Sequence, residues 1–512
     1  MSLQRTVDCP DIGVNRNDGS QLTNGCFVIP AVKFCVDRLG RVRSVAMHVG
    51  AGLDAMNSHT LRSPVLDIGV FWSARTIGRC FFAKVRSGVV PLLFGSFVVF
   101  PAIAADISVS GFGTIGYTRS NQEFTYDRFI SDSGTFRRDS VVGLQADAQF
   151  GNGIGATIQV KGAPSSTDDE NYRASVAWAF ASYRPSNEWL IRAGRQRIPL
   201  YLYSQNYDVG ATYDFARLAT EMYSIAPGNE FDGISVSKVW NLASGDLTLD
   251  GYWGGTKVDG RFWFRDGIPM IQSAGAVFRQ ISLEGKGLVG SYRIRDDLYR
   301  VGFHRSEGRR SDGGSFPATY PFVLLFPGVG YYQVDSGIPG PGIPSVHRIR
   351  NSVFTVGVDL MFDSGYRVVA EFARTFVDTP TVQIANASTR GYASVLKGID
   401  RWTPYVTYAF LRSDPAQRRL YSGVNGNSIP VVVSGSTLIN ASQRAGADGM
   451  LTFDQRSLAI GTSYSLTPTS KLKAELMHVR IGQVSSLVDA PPGSNIRNQG
   501  INVISLSYSV VF

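Results

Sequence analysis

The side chains that could do chemistry in this chain are charges of opposite sign at strand and loop spacing, with no nucleophile set beside a base. Arg192, Arg195 and Arg197 close one short segment. Asp208, Asp214, Glu221, Glu230 and Asp232 follow in the long segment 198–231 and just beyond it, while Lys161 and Arg173 precede them. Acidic groups on one side of a water-filled passage and basic groups opposite would create a transverse field. Such a field orients polar solutes, whereas an apolar molecule must displace ordered water. Arginine occupies both parities of residues 189–197, so spacing leaves open whether Arg192, or Arg195 with Arg197, lines a wall. By parity, Asp250, Arg300, Arg367, Glu371, Lys473 and Glu475 belong to the same inward set.

Catalytic chemistry has little to draw on. Downstream of residue 105 the only histidines are His304, His347 and His478, none at metal-ligand spacing and none near a G-x-S-x-G turn. No phosphate-binding P-loop occurs. Cys9, Cys26, Cys35 and Cys80 all lie in the first hundred residues. Disulfide frameworks and cysteine metal sites are therefore excluded for the rest of the chain. We expect no enzyme, no catalytic residue, no metal and no cofactor.

The elements that hold these charges read as strands. From Gly500 to Phe512, Ile504, Leu506, Tyr508, Val510 and Phe512 share one face and Ser505, Ser507 and Ser509 the other, the period of two that defines a strand. Further upstream, Lys84-Val85-Arg86, an uncharged run over 87–105 and Ala102-Ile103-Ala104 make a secretory signal peptide over 84–105. The run contains Pro91 and Pro101 and is short for a ~30 Å hydrocarbon core, which disfavours a membrane helix. Residues 1–83 show no sustained periodicity and are read as a mis-assigned or unstructured extension. The first 105 residues hold 11 of the 50 Lys+Arg and 6 of the 41 Asp+Glu, leaving 39 and 35 for the remainder. A near-balanced main domain is not a nucleic-acid footprint.

Between 106 and 512, sixteen alternating segments are expected: 106–118, 139–150, 154–163, 172–184, 189–197, 232–242, 246–256, 280–294, 298–306, 351–362, 366–376, 389–397, 402–412, 455–466, 470–481 and 500–512. Their connections alternate between short turns, such as Gly151-Asn152-Gly153, and longer loops. Within strands, Val142, Leu144, Ala146, Ala148 and Phe150 oppose Gly143, Gln145, Asp147 and Gln149; Ile154, Ala156, Ile158 and Val160 oppose Thr157, Gln159 and Lys161. Phe150, Trp178, Phe180, Tyr366, Phe376 and Phe512 lie near strand ends, where aromatic girdles sit. A greasy outer face requires the sheet to close, because an unpaired edge in hydrocarbon costs several kcal/mol per backbone group.

Over 106–512 this order of elements resembles the Gram-negative outer-membrane porins. Gly151-Asn152-Gly153 with Gln159 is similar to their second turn and third strand, and Gly194-Arg195-Gln196 to the motif before their third loop. Residues 454–481 and 502–512 resemble their closing strands. The resemblance implies an all-β fold, a transmembrane antiparallel up-and-down barrel of sixteen strands with long extracellular loops and short periplasmic turns. It implies residues 198–231 folded inward as a constriction, passive diffusion of small polar solutes, a homotrimer and contact with membrane lipid and lipopolysaccharide. It also implies a cell outer-membrane location, with Tyr508, Val510 and Phe512 read by the barrel-assembly machinery as the insertion signal. Val141 departs from the pattern, standing where many general porins carry a constriction arginine. The competing expectation is a barrel receptor or adhesin using the long loops 307–350 and 413–454. Against an active transporter, no plug domain follows the signal segment.

Phe512→Ser should lower the amount of heat-modifiable, membrane-inserted protein. Normal levels of folded protein after that change would count against the insertion-signal reading.

Overall fold

The structure, a computed structural model, describes residues 26–29, 32–36, 42–47, 106–225, 230–378 and 382–512. The signal segment expected over 84–105 and most of the extension over 1–83 lie outside the described residues. Within the extension, Cys26–Ile29, Val32–Val36 and Val42–Met47 pair in that order as a small antiparallel sheet.

The main domain is a closed antiparallel barrel of sixteen strands. In chain order they are β1 (Asp106–Ser120), β2 (Val141–Gln149), β3 (Ile154–Pro164), β4 (Tyr172–Ser186), β5 (Trp189–Arg197), β6 (Glu230–Leu242), β7 (Gly245–Phe264) and β8 (Gly275–Ile294). They continue as β9 (Asp297–Arg310), β10 (Ile349–Met361), β11 (Tyr366–Val377), β12 (Ser388–Lys397), β13 (Trp402–Ser413), β14 (Phe453–Thr467), β15 (Ser470–Ser485) and β16 (Gly500–Val511). Each strand pairs with its sequence neighbours, and β16 returns to β1. All sixteen expected segments are strands.

The ladder that closes the barrel runs from Val503 opposite Ser120 to Val511 opposite Phe112, and the last residue extends it. Phe512 donates its amide to the Gly111 carbonyl at 2.9 Å, and Gly111 donates back at 2.7 Å. The Phe512 ring lies across Gly111 so closely that a Cβ there would come within 2.4 Å of it. At the same rim, in the turn between β2 and β3, Gly153 sits at φ +76°, and a Cβ would meet the Arg184 carbonyl oxygen at 2.2 Å. Glycine is the residue without a Cβ to clash in either place.

The outward face is apolar: Leu144 is 55% and Ile158 49% exposed, while the inward Gln159 is 4% exposed. Phe150, Tyr366, Phe376 and Phe512 face outward as expected. Trp178 and Phe180 do not. The β3–β4 register skips Ala177, so Trp178 pairs with Gln159 and Phe180 with Thr157, both inward residues. This bulge reverses parity along β4 and turns the two rings into the lumen.

Two other departures have local causes. Strands β7 and β8 pair for eight residues beyond the expected end of β7, up to Phe264 opposite Gly275. That stretch contains Gly260, yet it continues the ladder as a tall hairpin. Its tip is held by Arg261 on Asp489 at 2.6 Å and by the Trp263 indole N–H on the Ala490 carbonyl at 2.8 Å. The serines expected to form a wet face on β16 are buried instead, Ser509 to 1% exposure, because a loop packs over them.

Arginine at Leu144 or Ile158 should destabilise the inserted barrel by about 2–4 kcal/mol if the position lies at the bilayer midplane. Gln145→Arg should insert normally. Equal tolerance in a folding assay from urea into lipid vesicles would contradict the assignment of faces.

Candidate functional site

Residues 198–225, the described part of the long segment after β5, run inside the barrel. Tyr201, Tyr203, Phe215, Leu218, Met222 and Tyr223 of this loop form a buried cluster with Val369, Ala373, Tyr392, Leu396, Tyr405 and Ala409 of β11–β13. Burial of rings against the wall supplies the docking force, and polar groups set the register. Glu371 accepts the Leu202 amide at 2.8 Å and the Tyr392 hydroxyl at 2.8 Å, and also takes the Tyr223 hydroxyl. The Tyr405 hydroxyl accepts the Ala216 amide at 2.8 Å, and Arg300 donates to the Pro199 carbonyl at 2.6 Å. Lys473 donates to the carbonyls of Gly210 and Phe215 and lies 4.2 Å over the Tyr213 ring.

The acids of the loop are consumed by this docking. Asp208 is buried between Arg197 and Lys161, which also reaches Glu230 at 2.9 Å. Burial works against the Asp208 charge, but Lys161 and Arg197 outweigh it and hold the carboxyl below the usual range. Asp214 binds Lys471 at 2.6 Å and Ser463 at 3.0 Å, with Arg367 at 3.5 Å. Glu221 is fully buried against Gln455 at 2.9 Å, and burial raises its carboxyl pKa. Arg217 ties the loop to Asp127 and Asp139 of the β1–β2 connection at 2.7 and 3.3 Å. These carboxylates act as tethers between loop and wall, rather than as a free acidic surface facing bases across a gap.

The predicted basic residues divide. Arg192 pairs across strands with Ser182 and Ser235, whose hydroxyl binds the inward Gln196, so Arg192 faces the lumen. Its guanidinium lies 5.3 Å from the Phe180 ring centroid. Arg195 and Asp232 require correction as lumen candidates: they are cross-strand partners on the outward face, joined at 2.6 Å and 40% and 56% exposed. Arg195 pairs on its other side with Ala179, which stands opposite the outward Ile158. Arg197 shares its parity, but the chain leaves the strand there and the side chain turns inward to Asp208. Arg173 pairs with Ala163, two residues from Lys161 on the same face, and is exposed near the loop rim. Tyr508, Val510 and Phe512 share the outward face of the closing strand and its end.

The two halves of the lumen wall therefore differ. Inward residues of β11–β16, including Glu371, Lys473 and Glu475, are buried under the loop or the β1–β2 connection. On β2–β8, inward Asp147, Thr157, Ser182, Arg192 and Asp250 keep partial exposure, although Gln159, Gln196 and Tyr252 are buried. Sequence alternation placed Asp147 on the inward face, where the structure has it, and missed Trp178 and Phe180, which the bulge turns inward.

At the loop rim the connections form a cover. The β13–β14 connection folds into α1 (Pro415–Gly426) and α2 (Ser436–Asp448), packed on the β9–β10 connection through Val424, Ala447, Met450 and Tyr320. Arg265 joins α2 to the β7–β8 connection through Asp448 at 2.7 Å.

No protein-family model and no curated protein matches the chain. Among solved structures it is similar to the outer-membrane expressed OmpT of Vibrio cholerae, at 12% identity and a TM-score of 0.43, covering 81% of this chain and 99% of that one. It is also similar to an anion-selective porin from Comamonas acidovorans, at 10% identity and TM-score 0.42 over 80% and 100% of the two chains. The outer membrane channel DcaP of Acinetobacter baumannii gives 11% identity and TM-score 0.44 over 80% and 97%. The architecture expected from the porin resemblance, a closed sixteen-strand barrel, stands on this chain's own strand pairing.

Asp208→Asn leaves the buried Arg197 without its carboxylate partner, a change of the kind that costs about 3–5 kcal/mol. It should lower the temperature at which the barrel loses its heat-modifiable migration on gels. Arg195→Gln, which breaks an exposed pair worth at most about 1 kcal/mol, should leave that temperature nearly unchanged.

Proposed function

We propose that this protein is an outer-membrane channel for passive diffusion of small hydrophilic solutes and ions. The observation that carries the reading is the asymmetry of the lumen: a loop docked against β11–β13 narrows the barrel, and the polar wall opposite keeps contact with solvent. Arg192, Asp147 and Asp250 supply the fixed charges of that wall. In a narrow aqueous passage Arg192 attracts anions, Asp147 and Asp250 attract cations, and solutes that keep hydrogen bonds to the wall lose least hydration. With the porin resemblance go a homotrimer, export by a signal peptide, insertion through the closing strand, and contact with membrane lipid and lipopolysaccharide.

Planar-bilayer recording tests this. The purified chain should give stepwise conductance; none above empty bilayers would sink the channel reading. Removing residues 206–216 should enlarge the steps. Arg192→Glu should move the reversal potential toward cation selectivity, and the shift should shrink at high salt as the Debye length falls from ~10 Å at 0.1 M to ~3 Å at 1 M. Arg195→Glu, on the outer face, should leave it where it was.

A further inference from the structure

On the outward face of β14 and β15 stand arginines that, among the described residues, meet no carboxylate. Around β9 and β10 the outward arginines each reach one: Arg305, although it stands opposite Lys286, lies 3.5 Å from Asp378, and Arg309, Arg348 and Arg350 share Glu307 at 2.6, 3.3 and 2.9 Å. The Arg195–Asp232 pair does the same between β5 and β6. On β14 and β15, by contrast, Arg456 and Arg480 are direct cross-strand partners, both exposed. Like charges set directly opposite destabilise a sheet unless something neutralises them. Among the described residues neither has an ion-pair partner. Asp454, two residues before Arg456, lies 3.3 Å from Arg412. Arg119, opposite Ile504 on the neighbouring β1–β16 pair, is likewise exposed and unpaired among the described residues.

Below these arginines, toward the turn rim, the same face is hollow. Ala474 and Thr462 stand side by side between larger neighbours, Leu472, Tyr464, Leu506 and Tyr508. They lie in an apolar depression of about 480 Å³. Trp402 and Tyr464, with ring centroids 4.6 Å apart, close one end of it; Tyr117 and Phe136, 5.1 Å apart, close the other. From Ala474 to Arg480 is six residues of β15. At ~3.3 Å per residue and a tilt of ~40°, that is roughly 15 Å along the membrane normal. Half of a ~30 Å hydrocarbon core is the same depth, one leaflet.

We propose that Arg456 and Arg480 bind the phosphate of a membrane lipid from the leaflet at the loop rim, with an acyl chain of that lipid seated in the depression beside Ala474. The inference rests on the reading of the barrel as membrane-spanning. Charge complementarity selects the occupant: a purely apolar partner leaves the two guanidiniums facing each other, while a phosphate accepts from both. The spacing of one leaflet between charge and hollow fits a lipid, and a soluble anion has no use for the hollow.

The test uses the full chain purified from membranes in detergent and stripped of lipid. Bis-phosphorylated lipid A is added, and bound lipid is counted by native mass spectrometry. The Arg456→Gln/Arg480→Gln double variant should bind about thirtyfold more weakly, the ratio that corresponds to about 1 kcal/mol for each arginine at an anionic lipid surface. Ala474→Phe, which fills the hollow and leaves the arginines intact, should also weaken binding; Arg348→Gln should not. Equal binding by wild type and the double variant would overturn the proposal, as would absence of binding by wild type. Equal binding of dephosphorylated lipid A would reduce the site to an apolar groove, and displacement by millimolar sodium phosphate alone would make it a free-anion site. Loss of bound lipid only when the protein dissociates into monomers would assign the face to a second copy of the chain. Heat-modifiable migration of the wild-type sample reports the membrane-barrel reading separately.

Discussion

Hydrocarbon tolerates no unpaired sheet edge, and this requirement organises the chain from Asp106 to its last residue. Every barrel strand finds both partners, and the final bond is made by Phe512 against Gly111. Closure fixes the strand parity around the ring, which in turn decides which side chains meet lipid and which meet the lumen. Where parity changes, at the Ala177 bulge, two aromatic rings move from one solvent to the other. The lumen chemistry is therefore a consequence of backbone pairing before it is a matter of charge.

A closed barrel leaves an interior larger than its wall side chains fill, and the loop after β5 occupies part of it. Its docking rests on rings, with ion pairs used to anchor it. The loop carboxylates Asp208, Asp214 and Glu221 find partners on the wall, so they are spent on position. Buried pairs of this kind add little net stability, yet losing one partner is expensive, which makes them good devices for fixing a loop in one place. In the proposed channel, what remains for solutes is the uncovered wall. With only 39 basic against 35 acidic residues beyond residue 105, overall charge would leave ion preference to the few unneutralised groups.

The sixteen strands were legible because alternation and turn composition agree at nearly every boundary; Asn152-Gly153 between two alternating runs needs little else. The inserted segment was legible from its position and length. The orientation of individual charges was harder to read. Arg195 sits in the motif most similar to the porins, yet its cross-strand neighbours Ala179 and Asp232 place it outside, while Arg192 is inward. One strand's alternation cannot choose between two arginine-bearing faces. The register with β4 and β6 does choose, and that register depends on the Ala177 bulge, which leaves no signature in composition. The β7–β8 hairpin was expected to end at residue 256, and its upper part, up to Phe264 opposite Gly275, shows only in the strand pairing.

The outer surface shows the same logic applied to charge. Along β9 and β10 the outward arginines near the loop rim each have a carboxylate within reach, three of them sharing Glu307. Along β14 and β15 they do not: Arg456 faces Arg480 across one strand spacing, and neither has an ion-pair partner among the described residues. Sheets ordinarily avoid this arrangement, because each guanidinium raises the cost of the other and neither gains a bond. A barrel does not need to satisfy every group with its own residues, since the membrane is its solvent and carries phosphates at a fixed height. Placing two arginines at that height and small residues one leaflet below makes the lipid part of the structure's charge balance.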